Sequence, residues 1–125
     1  MEKKTSLIKR PIILLIGSDK TLSYLLGRYA ERCGYQLTVN PENLSVKEIT
    51  VVSPVVIVFP SKEILETRQV LVGELASLDF PIMVCSSIAD EARARELGAD
   101  YCLTHPITYD DFQTALMNAS GSKHA

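Results

Sequence analysis

Four short clusters carry the side chains that could do chemistry. Gly17-Ser18-Asp19 offers a hydroxyl and a carboxylate, Pro60-Ser61 a second hydroxyl, Ser86-Ser87 two more, and Thr104-His105-Pro106 an imidazole. Asp19 could ligate a metal or cap a helix, and the cap is the favoured reading. Ser61 could accept a phosphoryl group, but a loop or helix-cap role is favoured. Ser86 could bind an anion through its hydroxyl and nearby backbone N–H groups, or simply be a small residue ending a strand. His105 could sense pH or an anion near its ordinary pKa of about 6.5, or stand exposed in a loop. Cys33, Cys85 and Cys102 are odd in number and lie among apolar residues. Cys85 and Cys102 could form a redox pair, yet reduced, buried thiols suit them better.

Several chemistries lack their residues. No Cys-x-x-Cys spacing supports zinc or dithiol exchange. Gly17-Ser18-Asp19-Lys20 has neither the later glycine nor the Lys-Ser/Thr of a phosphate loop. No serine sits in a nucleophile-elbow pattern. The tyrosines are dispersed and make no base-stacking platform. With no activated nucleophile or acid–base pair at these clusters, the chain is expected not to be an enzyme and to need no cofactor.

The clusters fall where short apolar runs end. Ile12–Ile16 is continuously apolar, as a strand buried on both faces would be. Leu22, Leu25, Leu26, Tyr29, Ala30 and Cys33 form one helical stripe, closed by Gly34. Gln36–Val39 alternates, like a half-buried strand, and Asn40–Asn43 reads as a turn. A short helix follows through Leu44, Val46 and Ile49. Val55–Phe59 is a strand fenced by Pro54 and Pro60, since proline cannot donate within a sheet. Ile64–Leu78 reads as one helix, Ile82–Cys85 as a strand, Ala89–Leu97 as a helix ended by Gly98, and Tyr101–Leu103 as the fifth strand. Thr108-x-x-Asp111 resembles a capping box opening a last helix through Phe112, Ala115, Leu116 and Ala119. Strands alternating with helices predict an α/β fold: a doubly wound five-stranded parallel sheet with helices on both faces. Ligands of such sheets bind at the carboxyl ends of the strands, where the four clusters lie.

At 125 residues, 46% hydrophobic and 22% charged, the chain suits one globular domain. Its net charge of −2 argues against a broad nucleic-acid-binding face. Residues 1–10 form a basic leader, Lys3, Lys4, Lys9 and Arg10 against Glu2. Residues 11–119 are the expected domain, and 120–125 a tail or the start of a linker. No run approaches the roughly 20 apolar residues of a membrane span, and no secretory leader is evident, so a cytoplasmic setting is expected.

The strand ends, taken together, resemble the receiver domain of two-component response regulators, the CheY-like family, over about Pro11 to Asn118. Glu96-Leu-Gly-Ala-Asp-Tyr-Cys-Leu-Thr-His-Pro106 is similar to the family's Leu-Gly-Ala-Asp stretch, aromatic-containing strand and Lys-Pro. Pro81-Ile-Met-Val-Cys-Ser-Ser87 is similar to its strand ending in Ser or Thr, and Pro54 with its strand to the third. The resemblance implies strand order 2-1-3-4-5. It also implies a phosphorylation site: an acceptor aspartate after the third strand, an acidic pair holding Mg²⁺ after the first, a Ser or Thr after the fourth and a lysine after the fifth. Position by position, the acidic pair is Gly17 and Ser18, with Asp19 one step later. The acceptor is Pro60, the lysine is His105, and the aromatic switch is Cys102. Ser86 keeps its type, and Pro106 takes the cis-proline position. One carboxylate is a poor Mg²⁺ site. The expectation is therefore a degenerate pseudo-receiver in signal transduction, holding no metal, not phosphorylated on aspartate, and acting through protein partners. Its interaction face would be Ala89–Leu97, Tyr101–Leu103 and Tyr109–Asn118, where Arg93 and Arg95, with Asp110 and Asp111, could form ion pairs across a homodimer. The alternative is a flavodoxin-like sensor of a small anion using Ser18, Ser86 and His105.

Overall fold

A computed structural model describes residues 10–40 and 43–122. Its strands are β1 (Ile12–Ile16), β2 (Gln36–Asn40), β3 (Val56–Phe59), β4 (Ile82–Ser86) and β5 (Tyr101–Thr104). All neighbours pair in parallel, in the order β2-β1-β3-β4-β5. The α/β architecture expected from the alternating pattern is thus the one observed. β1, β3 and β4 are buried almost throughout, which is why their sequences run apolar rather than alternating.

The helices are α1 (Lys20–Cys33), α2 (Val46–Val52), α3 (Lys62–Thr67), α4 (Gln69–Ser77), α5 (Glu91–Glu96) and α6 (Tyr109–Ser122), with a single 3₁₀ turn at Ile88–Asp90. They cover the two faces of the sheet with separate cores. On one face, Leu22, Leu26 and Ala30 of α1 and Phe112, Leu116 and Ala119 of α6 pack on Ile13, Leu15, Val58 and Met83. On the other, Ile49, Leu65, Leu75 and Ala94 from α2 to α5 pack on Leu14, Ile57, Phe59 and Val84. Cys102 lies against this second core and Tyr101 against the first, as alternation along a strand requires.

Two boundaries differ from the sequence reading. The single helix expected over Ile64–Leu78 is divided at Arg68, whose φ and ψ of −117° and 40° leave the helical region. The carbonyls freed at the end of α3 have partners that make the break tolerable: Thr67 Oγ1 donates to Ile64 O, and Gln69 Nε2 to Leu65 O. The last helix does not fray at Ser120 but runs through Ser122, with the Tyr35 and Ser120 hydroxyls 3.1 Å apart. The basic leader, save Arg10, and the final three residues of the expected tail lie outside the described residues. Among the described residues, no helix is long and apolar enough to cross a membrane.

Candidate functional site

β1 delivers Gly17, β3 delivers Pro60 and Ser61, β4 delivers Ser86, and β5 delivers His105 and Pro106, all at the carboxyl edge of the sheet. Gly17 has φ +120°, and its N–H donates to Asn40 O at 2.7 Å. A Cβ at Gly17 would stand 3.2 Å from Pro60 Cγ. The acidic-pair and acceptor positions of the resemblance are therefore pressed together, with a pyrrolidine ring filling the space between them. No carboxylate side chain could be added at Gly17 without backbone strain and displacement of that ring.

The neighbouring polar groups are mostly engaged. Asp19 Oδ1 accepts from Leu22 N at 3.0 Å, capping α1. Ser61 Oγ accepts from Ile64 N at 3.2 Å, capping α3. Both take the capping role favoured in the sequence. Ser86 is only 5% exposed, and its Oγ donates to Ser87 O at 3.1 Å. His105 and Pro106 are exposed and joined by a cis peptide, and His105 N–H donates to Ser86 O. Ser18 is exposed as well. The anion-binding trio Ser18, Ser86 and His105 shares this edge, but Ser86 presents a buried, internally bonded hydroxyl. Among the described residues, no three His, Cys, Asp or Glu side chains converge in a metal-ligating group.

Asn40, the first residue of the turn expected over Asn40–Asn43, is a further polar group at this edge that the sequence pattern does not single out. It ends β2 beside Gly17, and its Oδ1 is buried without a hydrogen-bond partner among the described residues. A polar residue closing a strand was the signal, though its burial depends on β1 alongside.

The cysteines are free thiols. Cys85 and Cys102 lie on opposite faces of the sheet, in separate cores, and do not pair. Burial, then the Asp19 carboxylate and the Cys102 thiol, push Cys85 up to about 12. Burial also raises Cys102, aided by Glu91 and opposed by Arg95. Cys33 Sγ lies 3.4 Å from Tyr109 Oη, over whose ring the Arg32 guanidinium stacks at 3.8 Å.

The expected interaction face is divided. Arg93 turns towards α3, pairing with Glu66 at 3.4 Å and with Glu96 at 3.2 Å. Arg95 turns towards β5, pairing with Glu91 at 3.3 Å and donating to Asp100 O. Residues two apart on a helix face different ways, so the two arginines do not form one patch. Arg95 lines a shallow groove of ≈ 360 Å³ with Glu91, Cys102, Thr104, Asp111 and Asn118. Asp110 and Asp111 are exposed in the first turn of α6, where Asp111 N donates to Thr108 Oγ1. Asp100 also escaped notice as an anchor: its Oδ2 accepts from Ile82 N and its own N–H donates to Ile82 O.

No protein-family model matches the chain, and no curated protein matches it. Solved structures do. A response regulator receiver domain protein from Clostridium thermocellum is 18% identical with a TM-score of 0.65, over 91% of this chain and 97% of that one. The signal receiver domain of an HD domain-containing protein from Pseudomonas fluorescens is 15% identical with a TM-score of 0.72, over 93% and 98%. Chemotaxis protein CheY4 of Vibrio cholerae is 11% identical with a TM-score of 0.67, over 88% and 98%. The chain therefore has the CheY-like fold of response regulator receiver domains.

Proposed function

We propose that the chain is a receiver-type module of signal transduction that is not phosphorylated on aspartate, performs no chemistry of its own, and works by presenting a surface to a protein partner. The observation that carries this reading is the Pro60 ring standing where a side chain at Gly17 would go, 3.2 Å from the position of its Cβ. Phosphoryl transfer to a carboxylate needs a nucleophile and a cation to neutralise the incoming oxygens. The acceptor position here offers an apolar ring, and the positions meant to hold the cation offer a glycine and a serine. The groove bounded by α5, β5 and α6 is the partner surface. Arg95 and Asp111 give it charges of both signs, which suits a partner with complementary charges. Arg93 is held by Glu66 and Glu96, so a symmetric homodimer there would rest on Arg95 and Asp111 alone.

Incubation with acetyl phosphate and Mg²⁺ tests the central point. The intact mass is expected to stay unchanged and the backbone amide NMR shifts of Ser86 and His105 to stay fixed. A gain of one phosphoryl group, released by hydroxylamine, would overturn the reading.

A further inference from the structure

We propose that the outer edge of β2 is a self-association surface, at which β2 pairs antiparallel with β2 of a second copy about a two-fold axis at Thr38. β2 is one of the two edges of the sheet. Gln36 N–H donates to Pro11 O, and Asn40 O accepts from Gly17 N. These residues therefore turn their backbone groups towards β1. Alternation along the strand gives Thr38 the same orientation and aims the N–H and C=O of Leu37 and Val39 outwards.

The sequence of the strand, Gln-Leu-Thr-Val-Asn, is self-complementary about its centre. In the two-fold pairing Gln36 faces the second copy's Asn40, amide against amide. Leu37 faces Val39, apolar against apolar, and Thr38 faces itself. The parity agrees with the backbone. The Leu37–Val39 pairs have their hydrogen-bonding groups turned towards each other, and Thr38 becomes a non-hydrogen-bonded pair. Natural edges are usually guarded by charge, proline or a bulge. Gln36–Asn40 contains no charged residue and no proline, whereas beside β5, at the other edge, the Arg95 guanidinium binds Asp100 O.

The flanking surface fits the same occupant. Val39 is 43% exposed and Tyr24 66% exposed, large for apolar side chains on one strip. They line a groove of ≈ 430 Å³ with Gly27 and Leu37, and with Arg10 and Glu31, which place a charge of each sign beside the strand rather than on it. The two-fold joins this strip to its own copy, Leu37 beside Val39, and yields one sheet of ten strands, five from each copy.

Sedimentation of the full chain over a concentration series, with amide hydrogen exchange read at both ends, tests the pairing. A reversible dimer is expected. The amides of Leu37 and Val39 should exchange about tenfold or more slower where the dimer dominates, with Thr38 protected at every concentration by β1. The variant Val39→Lys should sediment as a monomer with unchanged circular dichroism. In an antiparallel non-hydrogen-bonded pair the two Thr38 Cα atoms would lie ~4.5 Å apart, within the reach of a disulfide. Oxidised Thr38→Cys should then give a covalent dimer. Gln36→Cys should not, its two copies lying about 13 Å apart, and the wild type with its three native cysteines is the control. A monomer at every concentration overturns the proposal. So does a dimer in which the Leu37 and Val39 amides stay unprotected and Thr38→Cys gives no cross-link. If Val39→Lys fails to fold, exchange and cross-linking decide between these outcomes.

Discussion

Gly98 and Gly17 show how single atoms set the limits of this fold. Both have positive φ, +114° and +120°, a region that L side chains enter at a cost of roughly 1–2 kcal/mol. They differ in what a methyl group would meet. At Gly98 it would stand 2.6 Å from Val72 Cγ1, a short, stiff side chain in the core between α4 and the sheet, whereas at Gly17 it would meet Pro60 Cγ at 3.2 Å. Overpacking a core adds roughly 1–3 kcal/mol. Gly98→Ala should therefore cost about 2–4 kcal/mol of unfolding free energy and Gly17→Ala about 1–2. Urea titrations of the two variants check the order, and a Gly17→Ala variant the less stable of the pair would refute it. The residue scale is also where the candidate site was most legible. The glycine, the serine and the proline stand in the sequence for anyone to see at strand ends. Their contact does not, because Gly17 and Pro60 are neighbours only once β1 and β3 pair.

At the scale of elements, apolar runs located β1, β3 and β4, since a strand buried on both faces writes its burial directly into consecutive residues, and alternation located the half-exposed β2. The break between α3 and α4 was hidden for the opposite reason. The helical period runs on through Arg68, and the interactions that end α3 come from elsewhere. Arg68 Nη2 reaches Leu44 O at 3.1 Å, 24 residues away, and Gln69 Nε2 bonds both Leu65 O at 2.9 Å and Leu97 O at 2.8 Å, the latter 28 residues away. Gln69 thus ties the helix break to the end of α5. Gln69→Leu keeps the helix propensity and removes both bonds: Leu65 O keeps the Arg68 N–H at 3.2 Å, while Leu97 O loses its Gln69 partner. It should lower stability by roughly 1–2 kcal/mol, seen as a lower denaturation midpoint with an unchanged slope. An unaltered midpoint would mean that the backbone alone sets the break. The separation of Arg93 from Arg95 was, by contrast, available in advance. Their spacing of two points them different ways on an α-helix, so any pairing across a two-fold would use them separately, Arg93 beside α3 and Arg95 beside β5.

For the whole molecule, the sheet divides the interior into two cores that share no side chains, and Cys85 places an ionisable group inside one of them. It is 1% exposed, on β4, facing α1 and α6. Burial, with the Asp19 carboxylate and the Cys102 thiol, lifts it from an ordinary value of 9.0 to about 12. The folded state therefore holds this proton where the unfolded chain has released it. Stability from this group is fully present below about pH 9 and drains away as pH rises towards about 12, because the unfolded state then binds fewer protons than the native one. Three pH units at 1.36 kcal/mol each set a loss on the order of 4 kcal/mol, a large part of a small domain's total. The tyrosines and lysines titrate in the same range, so the measurement must be differential. Urea unfolding of the wild type and of Cys85→Ala, from pH 8 upwards, cancels what the two proteins share. The variant starts less stable for want of the sulfur's packing, and the gap should close as pH rises, because only the wild type has a buried thiol to ionise. Two curves that stay parallel from pH 8 to the alkaline limit of folding would show that Cys85 ionises in the folded state as freely as in water, and that the core between the sheet and α1 is wetter than its packing indicates.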